Sequence, residues 1–313
     1  MHPQTTLPGP GTLWVFPGQS SQAVGMGREA VRRSPRAAAF VTEAGDAIGQ
    51  DLRALCWDAD IAELTRTENV QPALTAVALA TWIALDELGL ARRGDADLFA
   101  GHSLGALAAA AAAGYLDLVD AVRLALERGR IMASAPTGGS MLEVRTAHEN
   151  DPAAQLAHGT TLADRFGLDL AAVNGPTEIA LAGAASRIES AARELGEAAR
   201  AVPVSNAFHS RFMTPVVPRW VAALDAVGLR QGSARHVGCA TAQVSGTADG
   251  VRDDLVLAVD GPVRWLDVLD LTREVPSVAV VGPSRVMRRL LQPCLGARPL
   301  RVYDEHAWSG PDA

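Results

Sequence analysis

The sequence predicts an α/β protein in which a large part built on a parallel sheet carries a small ferredoxin-like unit inserted within it. Three observations lead there. Short β-like runs alternate with Ala- and Leu-rich helical stretches through the first part of the chain, the rhythm changes to the order βαββαβ over residues 136–205, and longer helical and strand pieces resume from 206 onward. The expected division is therefore 1–135 with 206–313 for the large subdomain and 136–205 for the small one.

Taken in order, the first strand is read at 13–16, a helix at 72–88 and a second strand at 98–101. The helix after it, 104–113, is almost all alanine until Gly114, a composition that lets a helix sit close on a sheet and a glycine that stops it. Another helix, 117–132, follows at once. In the small unit the reading is strand 141–144, helix 151–166, strands 168–173 and 178–182, helix 186–195 and strand 199–204. Residues 278–281 read as the last core strand, and the tail 308–313 as frayed. There is no internal repeat and no low-complexity linker.

Composition narrows the class. A hydrophobic share of 48% with 20% charged residues in 313 is that of an ordinary folded chain, neither disordered nor fibrous. A net charge of −7 argues against nucleic acid or an anionic membrane as a bulk partner, so an acidic partner needs a local basic patch. All 28 basic residues are arginine, which coding bias in a GC-rich genome explains better than arginine-specific chemistry. Three scattered cysteines (Cys56, Cys239, Cys294) make neither a disulfide framework nor a zinc site, and the N-terminus has no leader pattern, so a cytoplasmic location is expected. The longest apolar run, 73–85, is too short for a membrane span of roughly 20 residues.

Gly101-His102-Ser103-Leu104-Gly105 lies between a short apolar strand and a small-residue helix, which is the strand–turn–helix setting of G-x-S-x-G. The glycines let the chain turn sharply, so the serine hydroxyl projects at a helix N-terminus, where amides and the helix dipole favour a developing oxyanion. A serine hydroxyl needs a base, most often histidine. Of seven histidines, His2 and His306 fall in tails, His148 and His158 in the inserted unit, His236 in a polar stretch, and His102 abuts the serine and is expected to point away. His209 remains, in Val204-Ser205-Asn206-Ala207-Phe208-His209-Ser210, where the main fold resumes and a side chain can face a cleft. A lone histidine there is more often structural than catalytic.

At this point the chain resembles the malonyl-CoA:acyl carrier protein transacylases and the acyltransferase domains of polyketide synthases. The motifs run in family order: Phe16-Pro17-Gly18-Gln19-Ser20-Ser21-Gln22, Gln71-Pro72-Ala73-Leu74, the GHSLG element, Arg128-Gly129-Arg130-Ile131-Met132, Asn174-Gly175-Pro176, Ala207-Phe208-His209-Ser210 and Pro262-Val263-Arg264-Trp265. The resemblance implies an α/β-hydrolase-like large subdomain, Ser103 as nucleophile, and His209 as base oriented by a backbone carbonyl. It also implies an oxyanion hole from the amides of Gln19 and Leu104, and an Arg128 guanidinium that binds a malonyl carboxylate bidentately. Met132, Phe208 and Asn174 would line the substrate site.

The implied chemistry is ping-pong transfer from a coenzyme A or phosphopantetheine thioester to the thiol of an acyl carrier protein. No permanently bound cofactor or metal is needed, and a monomer acting in trans in polyketide or fatty acid synthesis is expected. Arg285, Arg288, Arg289 and Arg211 are candidates for docking the acidic carrier, although a solvated helix face explains the arginine run equally well. Arg128 itself has the plain alternative of a solvated helix residue.

The chain departs from the family pattern at Ala106 (usually Glu), Ala258 (usually Gln), Ser284 (usually Gly) and Asn206 (usually His). These departures bear on substrate choice more than on transfer. The A-F-H-S context favours malonyl over methylmalonyl. Rival readings are transfer of a starter or aminoacyl group between carriers, a proofreading thioester hydrolase, an ordinary hydrolase with His306 as its late histidine, and a silent carrier-binding module.

Overall fold

The computed structural model describes residues 11–91, 93–204 and 206–308. His2, Ser205 and the part of the expected frayed tail beyond Trp308 lie outside the described residues.

Strand β1 (Thr12–Phe16) is followed by helices α1 (Arg28–Arg33), α2 (Pro35–Ile48), α3 (Leu52–Trp57), α4 (Ile61–Thr65) and α5 (Thr67–Glu87). Strand β2 (Leu98–Gly101) leads into α6 (Gly105–Ala112) and α7 (Leu118–Ala133). Next come β3 (Gly139–Arg145), α8 (Pro152–Phe166), β4 (Asp169–Gly175), β5 (Glu178–Ala184), α9 (Ala185–Leu195) and β6 (Ala199–Ala201). The chain then gives α10 (Val217–Val227), β7 (Arg235–Val237), β8 (Val244–Ser245), α11 (Ala248–Leu257), α12 (Trp265–Leu271), β9 (Ser277–Val281), α13 (Arg285–Leu291) and β10 (Leu300–Tyr303).

Two sheets organise these elements. The larger has the order β10-β9-β1-β2-β7-β8 and is parallel except for β8 at its edge. Its central strand β1 reads T-L-W-V-F with every position buried, as expected of a parallel strand covered on both faces. The smaller sheet, β4-β5-β3-β6, is antiparallel throughout and has the strand order of a ferredoxin-like unit. It packs its own core of Leu142, Val144, Val173, Ile179, Leu181 and Ile188. No helix among the described residues is long and apolar enough to cross a membrane.

Several expectations are corrected. Residues 278–281 lie in the buried strand β9 as read, but β9 is not the last strand of the sheet, because β10 adds to it in parallel, Leu300 pairing with Val278. The tail is not frayed at Trp308, which bridges to Tyr303 and lies beneath the Arg33 guanidinium, 5.1 Å from the ring centroid. β6 ends at Ala201 rather than at 204, since Pro203 has no N–H to give to a ladder. Helix α5 begins at Thr67, placing Pro72 inside it and burying Gln71 in its first turns. Four helices, α1–α4, occupy a stretch where none was read. Their starts carry ordinary signals: Ser34, Asp51 and Asp60 each cap the amide three residues on.

What positions the site is the junction of β2 and α6. A Cβ on Gly101 would lie 2.0 Å from the carbonyl carbon of Gly105, and one on Gly105 would lie 2.2 Å from the Phe16 carbonyl oxygen. Only glycine permits this approach of helix to strand. All eight residues of α6 are buried, which alanine's small side chain allows.

Candidate active site

Ser103 sits at the turn between β2 and α6 with φ +51, a left-handed conformation that costs a non-glycine residue about 1–3 kcal/mol and persists only where its surroundings enforce it. Its Oγ lies 2.8 Å from Nε2 of His209, itself at φ +58. Nδ1 of His209 lies 3.3 Å from the Gly261 carbonyl oxygen. A carbonyl only accepts, so Nδ1 carries the proton and Nε2 is left to accept from the serine hydroxyl. The backbone carbonyl that faces His209 is thus that of Gly261.

His209 is 7% exposed. Burial, then the charge of Arg128 and the neighbouring His102, push its pKa down to about 3, against a smaller opposing effect of the Gly261 carbonyl. The imidazole is neutral at physiological pH, the state in which it can take a proton.

Arg128, on α7, is 4% exposed and is no solvated helix residue. Nη1 donates to Gln71 Oε1 at 3.0 Å, and Nη2 donates to the Ala258 carbonyl at 3.2 Å and to Ser103 Oγ at 3.4 Å. Burial lowers its pKa to about 10, so it stays a cation at neutral pH. Among the described residues no carboxylate forms an ion pair with it. A buried cation held only by neutral acceptors keeps its charge uncompensated, which favours an anion beside it. Its helix neighbours Arg123 and Arg130 are exposed, Arg123 paired with Asp120 at 2.8 Å.

Ser103, His209 and Arg128 line a cleft of about 810 Å³, together with Gln19, Met132, Phe208, Asn174, Met141 and Val263. Leu104 is buried behind Ser103 at the N-cap of α6, where helix amides lack an intrahelical acceptor. His102 turns its ring from Ser103 toward Asn174, Nε2 to Oδ1 being 2.9 Å, and packs edge-on against Trp265. Asn174 in turn donates to Glu178 at 3.0 Å.

The other histidines stand apart. His148, His158 and His306 are exposed, and none lines the cleft. His236, expected in a polar stretch, is wholly buried in β7, where desolvation holds its pKa below the ordinary value. The four docking arginines do not form one free basic patch. Arg289 is bound to Glu178 at the cleft wall with Glu143 4.0 Å away, and Arg211 is bound to Asp169. Arg285 and Arg288 are exposed, with no ion pair among the described residues.

Ala106 and Ala258 are both buried, so the departures at these positions put a methyl group in packed surroundings. Asn206 is buried too, its Nδ2 donating to the Pro136 carbonyl at 2.9 Å and so tying the exit from the small sheet to the end of α7. Gln71, quoted above only as part of a motif, is the side chain that holds Arg128 Nη1, a contact that sequence reasoning missed. The signal was a long amide side chain at the start of the continuous buried run of α5.

Comparison with known proteins places this geometry. The acyl transferase domain family model matches residues 13–246. The malonyl CoA-acyl carrier protein transacylase of Bacillus subtilis (strain 168) is 31% identical over 287 residues, covering 89% of this chain and 89% of that protein. The phenolphthiocerol synthesis polyketide synthase of Mycobacterium marinum is 33% identical over 289 residues, 87% of this chain but only 13% of the synthase. Among solved structures, the acyl-carrier-protein-S-malonyltransferase of Bartonella henselae superposes with a TM-score of 0.85 at 28% identity, over 94% of this chain and 95% of that one.

Proposed function

Since the chain belongs to the acyl transferase domain family, we propose that it moves a malonyl group from a thioester, through an ester on Ser103, to the phosphopantetheine thiol of an acyl carrier protein. The observation that carries the malonyl reading is the buried, anion-free Arg128 guanidinium 3.4 Å from Ser103 Oγ. A thioester carbonyl held at Ser103 brings the free carboxylate of a malonyl group to that cation. In this reading residues 1–135 and 206–313 make up the large subdomain with the nucleophile and base, and 136–205 the small one that walls the cleft.

In the first half-reaction Ser103 Oγ attacks the thioester carbon while His209 Nε2 takes its proton. The amides of Gln19 and Leu104 receive the negative charge that develops on the carbonyl oxygen. The tetrahedral species collapses, the C–S bond breaks, and His209 returns the proton to the leaving thiolate. In the second half the same nitrogen takes the proton of the phosphopantetheine thiol, whose sulfur attacks the ester, and Ser103 leaves as its alcohol. Met132, Phe208 and Val263 surround the waiting ester with apolar surface that disfavours water. Coenzyme A or a second carrier serves as donor, and the exposed pair Arg285 and Arg288 offers the acidic carrier its contact.

Intact-mass measurement after incubation with malonyl-, methylmalonyl- and acetyl-CoA tests the reading. A malonyl adduct on Ser103 that a carrier thiol discharges is expected, and no adduct with any donor ends it. Arg128→Ala is expected to lower malonyl transfer roughly 100-fold or more in kcat/KM, because the anion loses its counter-charge in a desolvated site. Acetyl transfer should fall less than tenfold, by the same reasoning. Equal losses for both substrates remove the carboxylate role.

The pH dependence follows from the direction of the His209 shift. A lowered pKa keeps the imidazole neutral below its ordinary 6.5, so kcat/KM for acylation of the free protein should stay level down to about pH 5. An inflection near 6.5 in that profile excludes His209 in this environment as the base.

A further inference from the structure

The hairpin tip that joins β4 to β5 reaches the nucleophile from the small sheet, and its polar side chains form one hydrogen-bonded chain. At the far end Nη1 of Arg289, on α13, is bound to Glu178 Oε2, and Nη2 donates to Oε1 at 3.2 Å. Glu178 Oε1 also accepts from Asn174 Nδ2 at 3.0 Å, and Asn174 Oδ1 faces His102 Nε2 at 2.9 Å. A second carboxylate, Glu143 of β3, lies 4.0 Å from Arg289 and is itself held by Arg200 Nε at 3.2 Å. The chain thus runs from a helix of the large subdomain, through the tip of the small sheet, to the residue before Ser103.

Its donors and acceptors have one direction. A carboxylate only accepts, so the Asn174 NH₂ faces Glu178 and its carbonyl oxygen faces His102, which places the ring proton on Nε2. Burial holds the His102 pKa below its ordinary value, in keeping with a neutral ring that has this one N–H. The paired N–H···O bonds from Arg289 fix the plane of the Glu178 carboxylate. With the Arg289 side chain 46% exposed the ion pair adds little to stability, so what it supplies is orientation.

His102 is where that orientation matters. Its amide donates to the Phe16 carbonyl at 3.1 Å, its own carbonyl accepts from the Gly105 amide at 3.0 Å, and a Cβ on Gly18 would lie 2.3 Å from that carbonyl oxygen. The residue is therefore wedged between Ser103 and the loop that carries Gln19. Elsewhere the small sheet is fastened by main chain, Val173 donating to the Val263 carbonyl at 2.8 Å and Val263 to that of Ala171 at 2.9 Å. Those bonds hold the edge of β4 without help from the tip, so loss of the ion pair leaves the lobe seated.

We propose that Glu178 and Arg289 are positioning residues for the reaction: as a clasp between α13 and the β4–β5 tip they hold Asn174 in the amide orientation that accepts from His102, and so hold His102 against the nucleophile turn. The proposal rests on the acyl-serine reading above. The two are separable, because Ser103 reactivity can be read with a probe that needs neither a malonyl group nor a carrier.

That probe is phenylmethylsulfonyl fluoride, with the rate of Ser103 sulfonylation followed by intact mass beside single-turnover acylation from malonyl-CoA. Glu178→Leu keeps the bulk and removes the acceptor, and both rates should fall about tenfold with KM for malonyl-CoA changed less than twofold, because a small displacement of a reacting group costs rate rather than binding. Arg289→Leu should lower both rates roughly threefold or more, since the carboxylate stays but loses its fixed plane. Glu178→Gln returns an oxygen to Asn174 without the charge and should recover most of the loss seen in Glu178→Leu. The exchange of Glu178→Arg with Arg289→Glu rebuilds an ion pair but offers Asn174 a donor in place of an acceptor, so it should stay as slow as Glu178→Leu. Wild-type sulfonylation in Glu178→Leu or Arg289→Leu, no gain in Glu178→Gln, or full recovery in the charge exchange overturns the proposal. Absence of any acyl adduct on the unaltered protein counts against the acyl-serine reading, while the sulfonylation rates of the variants still decide the clasp.

Discussion

Ser103→Ala is expected to abolish the covalent acyl adduct and to lower transfer roughly 10⁴-fold or more, with the thermal midpoint unchanged. The fold should survive because alanine is nearly isosteric with serine and faces the same left-handed φ of +51. In the proposed mechanism what remains is binding and electrostatic help, from Arg128 to the carboxylate and from the amides at Gln19 and Leu104 to the carbonyl oxygen. Direct attack by the incoming thiol would then be the only route, without the ester that divides the reaction into two easier steps. The measurements are intact mass after incubation with malonyl-CoA and the rate of malonylation of the carrier. A variant that keeps its adduct, or loses less than tenfold in rate, moves the nucleophile elsewhere.

His209→Ala should cost roughly 10³-fold in acylation, the scale of general-base help to a weak nucleophile. A hydroxyl 2.8 Å from a neutral imidazole nitrogen loses its proton acceptor, and no other histidine lines the cleft except His102, whose Nε2 is engaged by Asn174. Under the proposed dyad serine and histidine act as one unit, so the double variant should be no slower than Ser103→Ala by itself. Raising the pH should restore part of the His209→Ala rate, as hydroxide takes over the proton. A double variant far slower than either single one would show the two groups working independently.

The fold class was readable because its signals are periodic. Continuous apolar strands, alanine-rich helices and the βαββαβ stretch each leave a trace in residue order. Helices α1, α3 and α4, of five or six residues, are too short to show a period; Asp51 and Asp60 at the caps of α3 and α4 were the only sign of those two, and α1 has no side-chain cap. β10 escaped notice because two of its four residues are only half-buried at the sheet edge, giving it little apolar pattern.

In the site, Ser103 was legible from its own neighbours, since the glycines on either side have a local steric purpose. The Gly261 carbonyl was not, because a main-chain acceptor leaves no mark on residue type. Gln71 and Arg128 are 57 positions apart, and Arg211 and Arg289 find their carboxylates 42 and 111 positions away. Pairings at such separations are set by the fold, so an arginine that is neutralised in space still looks free along the chain.

The small sheet enters the chain between α7, which carries Arg128 and Met132, and the segment carrying Phe208 and His209. Both of its seams therefore run along the reaction centre, while its own side chains, Met141, Ala172, Val202 and Val204, furnish much of the opposite wall. Exchange of this lobe between related chains would reshape the room offered to the acyl chain and leave hydroxyl, imidazole and guanidinium on inherited ground. The wall that bounds the acyl chain and the groups proposed to react with it are thus written on separate stretches of polypeptide, free to diverge at different speeds.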